Sequence, residues 1–310
     1  MGVHRVDPTG GNPTKGKFSS LAKKRLVRFV TLYPKILVSD DVEVVHNLRV
    51  ASRRLQQVLQ LILPEAKSSA RKKVLRTLRK VRRAFGACRN LDVNLNLVRG
   101  RMEKTTAASV RQAWAGVQLW LEERRAGAIE TGRAELRQHE LVDLIDRLQS
   151  LLENTGEEAE NMERLWGRTN DALSEWRNAL DTAKADAAVE RIHAFRIAGK
   201  KLRYRVELLG ELGNLSVKPM IGALKSLQDN LGDWHDHAVL REQVAEFIAR
   251  PGFMADEPGM CRALLREMER DKQRDRAMID SIIAKAEKLA ENYEHFEPKQ
   301  SAGDDAEKAQ

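Results

Sequence analysis

His46, Arg49 and Arg53 stand three and four residues apart. At 100° per residue they fall within about 60° of one another on a helix. One imidazole and two guanidiniums on a single face make a hydrogen-bond donor stripe of concentrated positive charge. The chemistry open to such a stripe is the gripping of oxyanions, with each Arg offering a planar fork to two oxygens. Arg54 follows directly, and the pattern then returns at an offset of 147 residues as His193, Arg196, Lys200 and Lys201, with Arg203 and Tyr204 beyond. Lys replaces Arg at two of the repeated positions, which exchanges the fork for a point charge.

A second basic row follows each stripe. Arg79, Arg82, Gly86 and Arg89 recur at an offset of 146 as Lys225, Gln228, Gly232 and His235. The two glycines suit a close backbone approach, chiefly helix against helix. Ordinary solvated helix faces mix both signs of charge. Here residues 49–89 hold thirteen Lys or Arg and one acid, Glu65, and residues 191–205 hold six Lys or Arg, one His and no acid. Like charges three and four apart destabilise a helix by roughly 0.2–0.5 kcal/mol per pair, a cost that a bound polyanion offsets.

Almost the whole chain carries helical period, so the stripes must be positioned by helices. The pattern predicts helices at about 18–37, 40–63, 67–99, 105–154, 159–183, 187–212, 217–250 and 257–293. Pro34, Pro64, Pro219 and Pro251-Gly252 mark ends, Ser39 and Asp40 suit an N-cap, and the long fourth helix is expected to break near Gly127 or Gly132. Val44, Leu48, Leu55, Leu59 and Ile62 oppose the first stripe and form its core side; Phe195, Leu202, Val206 and Leu209 do so for the second. The repeat implies an all-α fold of two four-helix halves, 18–155 and 159–293, packed about a pseudo-twofold axis. Residues 1–17 and 294–310 read as tails, rich in Gly, Pro and polar residues.

Composition narrows the partners. A net charge of +9 points to a polyanion, and 42% hydrophobic with 32% charged residues fits a folded helical protein. Cys88 and Cys261 have neither metal nor disulfide-framework spacing. No signal-peptide core or bilayer-spanning apolar run is present, so the expectation is a cytoplasmic protein without membrane association. Walker, dinucleotide and Gly-x-Ser-x-Gly motifs are absent. His235 and His237 are two residues apart and point to different sides of a helix, which does not suit a metal. The expectation is therefore no catalysis, no metal, no cofactor and no appended catalytic domain.

HNLRVASRRL, GACRNLDV, IHAFRIAGKKLRY and LKSLQDNLGDWHD together resemble the signature segments of the CHAD family, the conserved histidine α-helical domain. The resemblance covers about residues 18–293. It implies two four-helix bundles whose basic faces line one cavity that binds inorganic polyphosphate, in proteins associated with polyphosphate granules and polyphosphate-metabolising enzymes. Carried onto this chain, it assigns His46, Arg49, Arg53, Arg54, Arg79, Arg82 and Arg89 to the first face. His193, Arg196, Lys200, Lys201, Arg203, Tyr204, Lys225, Gln228 and His235 fall to the second. Gln56 departs from the family pattern, where a further Arg is common, and His235 stands where Asn is usual.

Polyphosphate has repeated charge and no bases, so a binder needs cations along a path and no stacking aromatics. The histidines are expected to donate to phosphate oxygens, more strongly once protonated. Nucleic acid is the competing partner, since Arg-rich helices also grip its backbone. Against that, Trp114, Trp120, Trp166 and Trp176 read as packing residues, and no groove-reading motif is present. A structural or adaptor role, centred on the mixed-charge region 105–183, is the third class.

Overall fold

The computed structural model describes residues 16–63, 69–139, 141–153 and 157–293, and among these every regular element is helical. Pro64 as a helix end, and the tails at 1–15 and 294–310, lie outside the described residues.

The first two helices follow from residue spacing. α1 (Lys17–Ile36) buries Phe18, Ala22, Leu26, Phe29, Tyr33 and Ile36, one face at intervals of three and four. Glu158 accepts a hydrogen bond from the backbone N–H of Phe18 at 3.0 Å, placing a carboxylate on the positive end of that helix. α2 (Val42–Ile62) buries Val45, Leu48, Leu55, Leu59 and Ile62, while Val44 is only half-buried. Its N-cap is Asp41, which accepts from the Glu43 N–H at 2.8 Å. Ser39 and Asp40, the expected caps, have other roles: Ser39 accepts from the Asp41 N–H at 3.2 Å, and Asp40 holds the Arg133 guanidinium at 2.6 Å.

Two expected helices prove to be pairs. The stretch 67–99 divides into α3 (Ser69–Ala84) and α4 (Gly86–Lys104) at buried Phe85. The fourth divides into α5 (Ala108–Arg137) and α6 (Leu141–Glu153). α5 runs straight through Gly127 and Gly132. At Gly132 the glycine serves packing instead: a Cβ there would lie 2.8 Å from both the Phe85 ring and the Ala84 carbonyl. The break falls at Gln138–His139, where the Tyr33 hydroxyl donates to the carbonyls of Leu136 and His139 at 2.9 and 3.1 Å. These contacts pin the chain where it leaves α5.

α7 (Glu158–Ala185), α8 (Val189–Glu211), a 3-10 turn (Leu215–Val217), α9 (Lys218–Ile248), the short α10 (Phe253–Asp256) and α11 (Pro258–Asn292) complete the order. The chain divides into two compact units. The first comprises residues up to Asn161 with Asp233–Ala277; the second comprises Met162–Gly232 with residues from Met278 onward. α7, α9 and α11 therefore each contribute residues to both. In the first unit Leu91, Leu95, Trp114, Val117, Leu121, Val244 and Phe247 share one apolar core. In the second, Trp176 stacks on Phe195 with ring centroids 5.9 Å apart, and Leu202, Val206 and Leu209 are buried along the same side of α8. Each such Leu or Phe favours folding by about 1.5–3 kcal/mol when fully buried. Trp114, Trp176 and Trp234 are buried, and Trp120 and Trp166 half-buried. Among the described residues no helix is long and apolar enough to cross a membrane.

Candidate anion-binding faces

The first face is built on α2, α3 and α4 of the first unit. Leu48, Leu55 and Leu59 turn into the core, and this fixes the rotation of α2 so that His46, Arg49 and Arg53 come up half-buried on the other side. Arg49 Nη1 donates to the backbone carbonyl of Arg82. Arg82 in turn donates from Nη1 to Gln56 Oε1 at 3.0 Å. Ser52 adds a third tie, its hydroxyl donating to the Leu78 carbonyl at 2.7 Å.

Charge is concentrated here. Burial, followed by the neighbouring charges of Arg53, Arg82 and Arg89, pulls the Arg49 pKa down to about 10. His46 is also held below the ordinary imidazole value, first by burial and then by Arg89, with Glu43 pulling the other way and Arg49 and Arg53 adding to the depression. Four guanidiniums and one imidazole thus share one neighbourhood across three helices. Arg54 and Arg79 are exposed, and the Arg54 carbonyl accepts from buried Arg25 at 2.8 Å.

α8 carries the second face. Phe195, Leu202 and Val206 are buried, and His193, Arg196, Lys200 and Tyr204 are half-buried along the opposite side. His193 is held below the ordinary imidazole value by burial and then by Arg196 and Lys200. Lys201 is exposed and bonded to both Glu175 carboxylate oxygens at 2.6 Å. Arg203 pairs with Glu207 at 3.2 Å and lies over the Tyr204 ring, 4.8 Å from its centroid. From α9, Lys225 is exposed and Gln228 is buried, its amide donating to the Arg196 carbonyl at 3.5 Å. His235, half-buried, belongs to the first unit, whereas Lys225 and Gln228 belong to the second.

The repeated positions thus make the same helix-to-helix tie by opposite means. In the first copy the α2 guanidinium reaches the carbonyl of residue 82; in the second the side chain of Gln228 reaches the carbonyl of residue 196. The glycines of the second basic row are not what brings helices close. A Cβ at Gly86 would make an ordinary 3.5 Å contact with Arg49, and one at Gly232 would meet nothing within 4 Å. Close approach falls instead on Gly199, where a Cβ would collide with Gln228 Nε2 and lie 3.4 Å from Trp176.

Two features are not legible from spacing alone. Gln56, visible in the sequence only as a missing cation, is buried and orients Arg82; its one signal is its place seven residues after Arg49, on the same side of the helix. His237 sits 3.0 Å from Arg101 Nη2, which also pairs with Asp271 at 2.5 Å. Since Arg101 can only donate, His237 Nδ1 accepts and its proton resides on Nε2. Nothing in the local spacing pairs residue 237 with residue 101. Among the described residues, no group of three or more His, Cys, Asp or Glu is placed to hold a metal ion.

The CHAD domain family model matches residues 21–245. Two solved structures share the fold. The crystal structure of the CHAD domain from the plant Ricinus communis superposes with a TM-score of 0.62 at 17% identity, covering 87% of this chain and 90% of that one. PptA from Streptomyces chartreusis superposes with a TM-score of 0.57 at 17% identity, covering 89% of this chain and 98% of that one. No curated protein matches the chain in sequence.

Proposed function

The chain belongs to the CHAD domain family, and on that premise we propose that it binds inorganic polyphosphate, without catalysis, through the faces led by His46 and His193. The observation that carries this reading is the crowding of Arg49, Arg53, Arg82 and Arg89 around one another and around His46. Bringing four guanidiniums together costs Coulomb energy in the free protein, and a chain of phosphates relieves it. Polyphosphate suits the site better than a mononucleotide because the residues supply many donors and charges. No stacking platform is among the sixteen residues assigned to the two faces beyond Tyr204, which already lies beside Arg203.

Each face is proposed to take a run of phosphates along its own cations. We propose a cytoplasmic setting at polyphosphate granules, with a storage or regulatory role beside polyphosphate-metabolising enzymes. A competition titration tests the ligand class: labelled long-chain polyphosphate bound to the protein is challenged with duplex DNA of equal charge and with pyrophosphate. Selective retention of polyphosphate supports the reading. Equal displacement by DNA would move the protein to the nucleic-acid class.

A further inference from the structure

Three helices of the first unit are tied by one set of titratable side chains: Arg101 on α4, His237 and Arg241 on α9, and Asp271 and Asp275 on α11. His237 and Arg241 stand one turn apart, as do Asp271 and Asp275, so each pair shares a side of its helix. Arg241 pairs with Asp275 at 2.5 Å. Arg101 Nη2 lies 2.5 Å from Asp271 and 3.0 Å from His237 Nδ1, and its guanidinium sits over the Trp114 ring of α5, 4.9 Å from the centroid. None of the four charged side chains is more than 19% exposed, so solvent and salt screen them poorly. None of the set belongs to the two anion-binding faces.

With His237 neutral, the two guanidiniums balance the two carboxylates. Arg101 Nη2 carries two N–H groups, one for Asp271 and one for His237. The cluster is already short of acceptors, because Arg101 Nε, Arg241 Nη1 and Trp114 Nε1 are enclosed without a partner among the described residues. A proton on His237 Nδ1 would turn the acceptor into a donor and set a second cation against Arg101. The charged groups facing the imidazole are Arg101 from α4, Asp271 and Asp275 from α11, and Arg241 one turn further along α9; Asp233, one turn earlier on α9, is exposed. α5 contributes only the uncharged Trp114 beneath Arg101. Burial and then Arg101 outweigh the two carboxylates, and Arg241 adds to them, so the folded imidazole is held below its ordinary value. The neutral arrangement therefore survives to mildly acid pH and has no protonated equivalent.

We propose that His237 is an acid-released lock: neutral, it holds α4 to α9 through Arg101, and protonated, it displaces Arg101 from Asp271 and frees α4 while drawing α9 and α11 together. The exchange needs little movement. His237 and Asp271 both lie within 3.0 Å of the same Arg101 nitrogen, so a small rotation of the ring brings a protonated nitrogen to the carboxylate. The new pair is a charge-assisted hydrogen bond, as the old one was. Arg101 is left without either partner. α4 also carries Arg89, so the lock bears on a helix that supports part of the first face, although the exchange itself requires no ligand there.

Two measurements on the full chain test this. The first is NMR from pH 8 to pH 5. Imidazole nitrogen shifts give the tautomer and titration of His237, whose signals are identified by their loss in His237→Gln. The Trp114 indole N–H, identified by its loss in Trp114→Phe, reports whether Arg101 stays over the ring. At pH 8 the His237 proton is expected on Nε2 alone. As pH falls the Trp114 resonance should move with the midpoint of the His237 titration, below about 6.5. In His237→Gln the amide oxygen still accepts from Arg101 and does not titrate, so the Trp114 resonance should stay in place. The second measurement is amide hydrogen exchange, corrected for the intrinsic effect of pH. Residues 95–104 of α4 should lose about tenfold of their protection at pH 5 in the wild type, the worth of one charge-assisted hydrogen bond, and keep it in His237→Gln. A His237 proton on Nδ1 at pH 8, or a Trp114 midpoint apart from that of His237, overturns the lock in the wild type alone, even if the variant fails to fold. Equal movement of Trp114 in a folded His237→Gln, or unchanged protection of α4 at pH 5 in the wild type, overturns it too.

Discussion

Arg49 on α2 donates a hydrogen bond from its Nη1 to the backbone carbonyl of Arg82 on α3, and Arg82 returns one to Gln56 on α2. Arg49 and Arg82 are thereby each tied to a neutral acceptor on the facing helix. This is how a fold can position guanidiniums for an external anion: amide and carbonyl oxygens orient them, where a carboxylate would also cancel them.

Gln56 is accordingly expected to tune Arg82. In Gln56→Glu a carboxylate replaces the amide oxygen, and polyphosphate affinity should fall by about tenfold while the fold becomes slightly more stable, as a charged hydrogen bond replaces a neutral one. In Gln56→Leu, Arg82 loses its partner without gaining a counter-charge, so affinity should fall less. Calorimetric titration of both variants checks the order.

Removing cations should also change the salt dependence. If each neutralised phosphate releases counterions as on a single-stranded polyanion, the slope of log K against log salt should fall by about 0.7 for every cation taken out of the binding path. Arg53→Ala and Arg196→Ala are expected to lower it together by about twice that amount. A slope unchanged in the double variant would remove these residues from the path.

The histidines set a pH window. His46, His193 and His237 are all held below their unfolded value near 6.5. For His237 the causes are burial, then Arg101, with Asp271 and Asp275 opposing and Arg241 adding to the depression. The unfolded chain therefore takes up protons first as pH falls. Stability is full above about pH 6.5 and is lost as pH drops through the lower folded-state values. Urea unfolding of the free protein should give a smaller free energy at pH 5.5 than at pH 8. Polyphosphate bound at the proposed faces would raise the pKa of His46 and His193, so affinity should increase over the same interval, and His46→Gln with His193→Gln should flatten that increase. Affinity that is level from pH 8 to 5.5 in the wild type would contradict it.

Gly132 is the packing counterpart of these charge arguments. A side chain there meets the Phe85 ring and the Ala84 carbonyl at 2.8 Å, where neither backbone nor buried ring can yield cheaply. Gly132→Val is expected to destabilise the protein by about 1–3 kcal/mol, measured by denaturant unfolding. Gly127→Val, with nothing within 4 Å, should be close to neutral, because Val is no worse than Gly in a helix interior.

Periodicity is legible in the sequence, and tertiary contact is not. The α2 and α8 faces can be read because Leu48, Leu55, Phe195 and Leu202 recur at helical spacing, and burial of that side forces the other outward. The charge cluster around Arg49 is foreshadowed because its members lie on faces whose rotation the same pattern sets. The break after α5 is displaced from its expected place because Gly132 looks like a helix breaker in isolation, whereas its reason is the Phe85 ring from a distant segment. The division at Phe85 leaves no mark because the apolar period continues across it.

The measurement closest to the central claim is the binding isotherm of long-chain polyphosphate on the wild type beside a variant carrying Arg49→Ala, Arg53→Ala, Arg196→Ala and Lys200→Ala. Circular dichroism on the variant first establishes retained helix. Tight, salt-sensitive binding in the wild type, reduced by about a hundredfold or more in the variant, is the predicted result. A folded variant that binds polyphosphate as tightly as the wild type would contradict the assignment of these two faces.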